Sequence, residues 1–144
     1  MKNSEKTENI YYNWKKIEIL VKRITNKIKL KNQKYTTILG IKNGGIIPAK
    51  LIAEELNIEN IKFVGIKNKQ IIIDELPLLK KNEKYLVVDE IFDTGYTYKI
   101  VYDIIQDFDH DFVVLLSRHN PKNENIMIGE ILNHNKWIVF PWEK

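Results

Sequence analysis

Asp89 and Glu90 stand side by side in this chain, and after two spacers comes the run Asp93-Thr94-Gly95-Tyr96-Thr97. Adjacent carboxylates suit the hydroxyls of a sugar or a hydrated Mg²⁺. Threonine hydroxyls beside a glycine suit an anion, because glycine allows the backbone to fold closely around it. The flanking residues say how these groups are presented. Tyr85, Leu86, Val87 and Val88 form a short apolar run of the kind found in strands buried on both faces. Ile100, Val101, Ile104, Ile105 and Phe108 recur at helical spacing. The order is strand, acidic pair, turn, helix. The first N–H groups of such a helix are unpaired and carry partial positive charge, which attracts phosphate. A phosphate cradle beside an acidic, hydroxyl-binding pair describes a sugar phosphate. An ordinary strand-to-helix turn with Asp89 and Asp93 as caps is the plainer alternative.

A second glycine turn, Lys42-Asn43-Gly44-Gly45, lies between an expected strand over Thr36–Ile41 and an expected helix over Ile46–Leu56, with Pro48 in its first turn. Taken alone it is a common strand-to-helix connection. Further strands are expected over Ile61–Ile66, Gln70–Ile73, Asp111–Ser117 and Trp137–Phe140, with Met127–Leu132 either a short strand or an irregular segment. Lys67-Asn68-Lys69 joins the first two, and Pro121–Asn125 is a polar loop. Near the start, Trp14, Ile17, Leu20, Val21, Ile24 and Ile28 trace one face of a helix from Tyr11 to Leu30, with Trp14 read as core. Strands alternating with helices give an α/β fold, one domain over residues 1–144, mainly parallel and flanked by helices, with residues 1–9 as a frayed tail. Ligands of such sheets bind at the carboxyl ends of strands. Both glycine turns and Arg118 fall at such ends, so they are expected to converge.

VVDEIFDTGYT resembles the phosphoribosyl pyrophosphate (PRPP) signature of the type I phosphoribosyltransferase family, and ILGIKNGGIIPAKLIAEEL resembles that family's pyrophosphate loop and following helix. SRH after a strand, and KWIVFPWEK near the end, resemble its purine branch, the xanthine, hypoxanthine or guanine phosphoribosyltransferases. The resemblance implies an enzyme that moves the phosphoribosyl group of PRPP to a 6-oxopurine, releasing pyrophosphate and forming a nucleoside 5′-monophosphate in purine salvage. It implies that Asp89 and Glu90 hold the ribose hydroxyls and, with the diphosphate, Mg²⁺ as cofactor. By the same resemblance Asp93 manages a purine proton, and Asp93, Thr94, Gly95, Tyr96 and Thr97 hold the 5′-phosphate. Lys42, Asn43, Gly44 and Gly45 take the pyrophosphate, while Arg118, Trp137 and Ile138 take the purine within a small C-terminal hood. It also implies a homodimer or homotetramer. The chain departs from the family pattern at Asn43, where a cation is usual, at Tyr96, at Arg118 in place of lysine, and in the short connection standing where relatives carry a mobile lid.

Composition limits the alternatives. A net charge of +4 over 144 residues is no nucleic-acid footprint, and no basic patch is interleaved with aromatics, so nucleic acid is not an expected partner. No apolar run is long enough to cross a bilayer, residues Met1–Asn9 are polar, and cysteine is absent; a cytoplasmic protein without signal peptide or membrane partner is expected. His110, His119 and His134 lack zinc-like spacing. Two rivals stay in view. One is a non-catalytic PRPP-binding regulatory protein, favoured by Asn43 and the short lid. The other is an aspartic protease, suggested by Asp93-Thr94-Gly95 but opposed by the helix that follows it.

Overall fold

In the computed structural model, residues 8–123 and 125–143 are described; residues 1–7 of the expected tail, Glu124 of the expected loop and Lys144 lie outside them. Five parallel strands form the centre: β2 (Thr37–Ile41), β3 (Ile61–Val64), β6 (Lys84–Phe92), β7 (Asp109–Ser117) and β8 (Ile126–Ile131). Their spatial order is β3-β2-β6-β7-β8. Strand alternation sends side chains to two faces. Ile38, Leu86, Val88, Val113 and Leu115 join one apolar cluster, under helices α1 (Trp14–Leu30) and α2 (Ile46–Leu56). Leu39, Tyr85, Val87, Phe112 and Val114 join the other, under α3 (Tyr96–Ile105) through Val101 and Ile105. The helices after β2 and after β6 therefore cover opposite faces. These two strands are neighbours, so the chain direction reverses between them and leaves a crevice at their carboxyl ends.

Local sequence explains the helices. Asn13 caps α1 by accepting the Lys16 N–H at 2.8 Å, and Ile17, Leu20, Ile24 and Ile28 are buried along one stripe. Asn57 ends α2 in the left-handed conformation, which asparagine tolerates better than most residues. Trp14 is not core. It is half exposed at the head of α1 and rests on Trp142 with ring centroids 5.9 Å apart.

Two small ribbons complete the chain. β4 (Ile66–Lys67) and β5 (Gln70–Ile71) form an antiparallel hairpin whose tip, Asn68-Lys69, has positive φ at both residues, followed by a 3-10 turn over Ile73–Glu75. β1 (Asn9–Tyr11) pairs in parallel with β9 (Trp137–Val139), Asn9 opposite Trp137 and Tyr11 opposite Val139. Asn9, placed in the tail by its polarity, is thus a strand residue. Strand β9 is short, lies outside the main sheet and pairs with β1 along one edge.

Leu86 lies fully buried in the central strand. Leu86→Ala is expected to cost about 2–5 kcal/mol of stability, the range for emptying a well-packed core position. Urea denaturation measures this, and a loss under about 1 kcal/mol would mean the core does not depend on β6.

Candidate active site

The crevice holds a cavity of about 300 Å³ whose walls include Lys42, Asn43 and Gly44 from the turn after β2 and Asp89, Glu90 and Asp93 from β6 and the loop beyond it. Thr94, Gly95, Tyr96 and Thr97 close its far side. Gly45 lies behind the cavity rather than on it. β6 is longer than its apolar run implies. It stays paired with β7 as far as Phe92 opposite Ser117, whereas its pairing with β2 ends at Val88. The acidic pair therefore sits on a strand with one edge open, facing the turn where β2 has left the sheet.

Two glycines shape the crevice. Gly95 has φ +87°, and a Cβ on it would come within 2.9 Å of the Phe92 ring. It is the N-cap of α3 and offers no side chain to the helix, so the first turn stays available; the Tyr96 N–H meets the nearby Thr94 Oγ1 at 3.3 Å. Asp89 and Asp93 are accordingly not helix caps. At Gly44 a Cβ would stand 1.7 Å from Glu90 Oε1. The Glu90 carboxyl lies directly against the turn, so a side chain at Gly44 would have to push that carboxyl aside.

Burial governs the acidic pair. It raises the Asp89 carboxyl to about 7, against the opposing effect of the Glu90 N–H, which donates to Asp89 Oδ1 at 2.8 Å. Glu90 is likewise raised to about 7, first by burial, then by the charges of Asp89 and Glu143. No cluster of three or more acidic, histidine or cysteine side chains that could hold a metal exists among the described residues. The pair thus fits a cation that brings its own further oxygen ligands, such as Mg²⁺ carried on a diphosphate.

A second cavity, about 100 Å³, adjoins the first and shares Glu90, Ile91 and Asp93 with it. Its remaining walls are Arg118, Trp137, Ile138, Phe140 and Glu143. Trp137 is 59% exposed, so it is not a core tryptophan and its ring is free for a flat ligand. Ile138 is buried. Trp142 packs instead, stacked on Phe140 at 4.9 Å. Arg118 reaches the cavity wall, yet its guanidinium is engaged with protein: Asp93 and the carbonyls of His134 and Lys136.

Several members were not legible in the sequence. Glu143 lines the second cavity and accepts the Phe140 N–H at 2.9 Å; its place near the chain end among aromatics gave no signal. Lys69 at the hairpin tip sets its ammonium 5.4 Å from the centre of the half-exposed Tyr96 ring, so the short connection does reach the cradle. Lys42, expected to supply the charge missing at Asn43, is paired with Glu75 at 3.1 Å.

The chain matches the family described as phosphoribosyl transferase domain over residues 7–143. It is 22% identical to the xanthine-guanine phosphoribosyltransferase of Idiomarina loihiensis, covering 92% of this chain and 86% of that protein. Identity to the xanthine-guanine phosphoribosyltransferase of Nitratidesulfovibrio vulgaris is 29%, over 76% of this chain and 69% of that one. The crystal structure of a purine phosphoribosyltransferase from Pyrococcus horikoshii superimposes with a TM-score of 0.73 at 21% identity, covering 95% of both chains. That likeness extends to the α/β sheet and its flanking helices.

A carboxyl raised on folding takes up a proton between its unfolded value, about 4, and its folded one. Its contribution to stability is full at low pH and is lost as pH rises through about 7. Asp89→Asn removes that loss while keeping an acceptor for the Glu90 N–H. The variant is expected to melt higher than the parent near pH 8, with the gain vanishing near pH 4, in thermal scans across that range. An equal gain at both ends would contradict burial as the cause. Gly95→Val is expected to abolish ribose 5-phosphate binding in calorimetry, through φ and the Phe92 clash; retained affinity would remove the turn from the site.

Proposed function

This chain belongs to the phosphoribosyl transferase domain family, and from that membership we propose that it transfers the phosphoribosyl group of PRPP to a 6-oxopurine, namely xanthine, guanine or hypoxanthine. The products are pyrophosphate and a purine nucleoside 5′-monophosphate, a purine salvage reaction. The observation that carries this reading is the shared wall: Glu90, Ile91 and Asp93 border both the cradle and the cavity beside Trp137. A sugar seated in one would present its anomeric carbon toward a base in the other. The names of the two relatives, both xanthine-guanine phosphoribosyltransferases, support xanthine and guanine among these substrates.

Each residue then has a task. Backbone amides and hydroxyls of Thr94–Thr97, with Asp93 at the start of the loop, hold the 5′-phosphate on the uncapped turn of α3. Asp89 and Glu90 accept the ribose hydroxyls, and their charge favours the oxocarbenium-like transition state. The turn Lys42–Gly45 receives the departing diphosphate through its backbone. Mg²⁺, held by Asp89 and Glu90 through water and by the diphosphate, would neutralise the leaving group. A bound cation also offsets the cost of ionising two buried carboxyls. Asp93 takes or returns the proton of the purine nitrogen as it attacks. Trp137 stacks on the base, and the Ile138 backbone meets its edge. The protein works in the cytoplasm, as a homodimer or homotetramer and a single domain over residues 1–144. None of the described helices is long and apolar enough to cross a membrane.

A PRPP-binding regulator without turnover is the second reading, favoured by the Lys42–Glu75 pair, which ties up the cation nearest the diphosphate turn. Incubating the protein with PRPP, Mg²⁺ and, in turn, hypoxanthine, guanine, xanthine and adenine separates the two. Nucleotide and pyrophosphate are expected with the three oxopurines and not with adenine. PRPP binding without pyrophosphate release in any of the four would establish the regulator instead.

A further inference from the structure

Arg118 joins two parts of the crevice that are far apart in sequence. Its Nε lies 3.3 Å from Asp93 Oδ1, at the head of the loop that carries Thr94–Thr97. Its Nη1 donates to the His134 carbonyl at 2.9 Å and its Nη2 to the Lys136 carbonyl at 2.8 Å. Those carbonyls belong to the turn immediately ahead of Trp137. The same turn is closed by the Lys136 N–H, which donates to His134 Nδ1 at 3.1 Å. At its root, the Arg118 N–H donates to the Phe92 carbonyl at 2.9 Å, so the side chain is tethered to the strand leading into Asp93. The side chain is only 12% exposed. One planar group thus holds the first residue of the phosphate loop and the last turn before the aromatic wall of the base cavity.

Resting on the function proposed above, we infer that Arg118 is a positioning residue that makes the sugar-phosphate cradle and the base cavity fill cooperatively. A guanidinium presents its N–H groups in a rigid fork, so its three partners cannot shift independently. Seating a 5′-phosphate fixes the Asp93 loop. Through the fork this fixes the 134–136 turn, and with it Trp137 and Ile138. A base arriving second finds its wall already ordered and loses less freedom on binding. By linkage the base strengthens sugar-phosphate binding by the same factor. Lysine in this place would carry its donors on one rotatable nitrogen, without the planar spread over three nitrogens by which Arg118 meets the two carbonyls and the carboxylate. The substitution of arginine for the family's usual lysine therefore changes the task of the position: the fork is spent on protein, where a lysine would be left to meet the base.

Calorimetric titration of guanine, with and without saturating ribose 5-phosphate, tests this on the full chain and on Arg118→Lys and Arg118→Met. The parent is expected to bind guanine roughly five-fold tighter, or more, when ribose 5-phosphate is present. Arg118→Lys is expected to bring that enhancement to about unity while still binding ribose 5-phosphate alone. If Arg118→Met does not fold, Arg118→Lys carries the test. Enhancement surviving in Arg118→Lys overturns the inference. So does an Arg118→Met protein that loses guanine affinity equally with and without ribose 5-phosphate, the mark of a residue that merely reads the base. A parent that binds both ligands without enhancement overturns the cooperative link and leaves the proposed function standing. A parent that binds neither overturns both.

Discussion

Strands β2 and β6 lie side by side and run the same way, yet the helices that follow them must cover opposite faces of the sheet. Everything at the site depends on that constraint. The chain after β2 turns one way at Lys42, the chain after β6 turns the other way at Asp93, and a cavity lined by both turns lies between. Pairing between the two strands stops at Val88, while β6 continues along β7 for four more residues, to Phe92. The acidic pair is thereby placed on rigid, paired strand rather than on a loop, which is where groups that must meet a ligand in a fixed geometry are best kept. The energetic support is the double-faced core beneath: Leu86 and Val88 on one side, Tyr85 and Val87 on the other, all with no exposed surface.

Holding two carboxyls there is costly, and the structure shows how the cost is distributed. Burial works against ionisation of both Asp89 and Glu90, and Glu143 adds to the burden on Glu90. Only one hydrogen bond among the described residues favours the charged form of Asp89. Such a pair is unfavourable in the empty protein and becomes favourable when a ligand brings hydroxyl donors or a cation. Part of the fold's stability is therefore given up to the ligand, as is common where a site must bind strongly.

Much of this architecture can be read from residue pattern. The run ending at Val88, the glycines at 44, 45 and 95, and the apolar stripe of α3 each carry a local signal of a kind set by backbone physics. The helix over Ile46–Leu56 ends where the sequence places it, because Asn57 supplies the left-handed stop. What escaped was set by distant partners. Three residues at Asn9–Tyr11 hold too little alternation to announce a strand, and they become one only because β9 lies alongside. The apolar run suggested that β6 stops at Val88, yet its acidic end stays extended through pairing with β7, which hydrophobicity does not report. Trp14 has helical spacing with the core, but the first turn of a helix can project past the sheet it packs on. Arg118 was legible as a cation at a strand end; that its fork would close on Asp93, His134 and Lys136 depends on a turn 16 to 18 residues later.

The partnership of β1 with β9 has a consequence for how the molecule is made. Tyr12 N–H donates to the Val139 carbonyl, Trp137 N–H to the Glu8 carbonyl, and Lys136 forms an ion pair with Glu8. The two strands of this ribbon lie some 128 residues apart in sequence, since Asn9 pairs with Trp137. The central sheet and the turns at its edge can assemble earlier from contacts nearer in sequence, since distant pairings form late when loop closure opposes them. The wall around Trp137 is then the final part to gain its shape, after the crevice between β2 and β6 has formed.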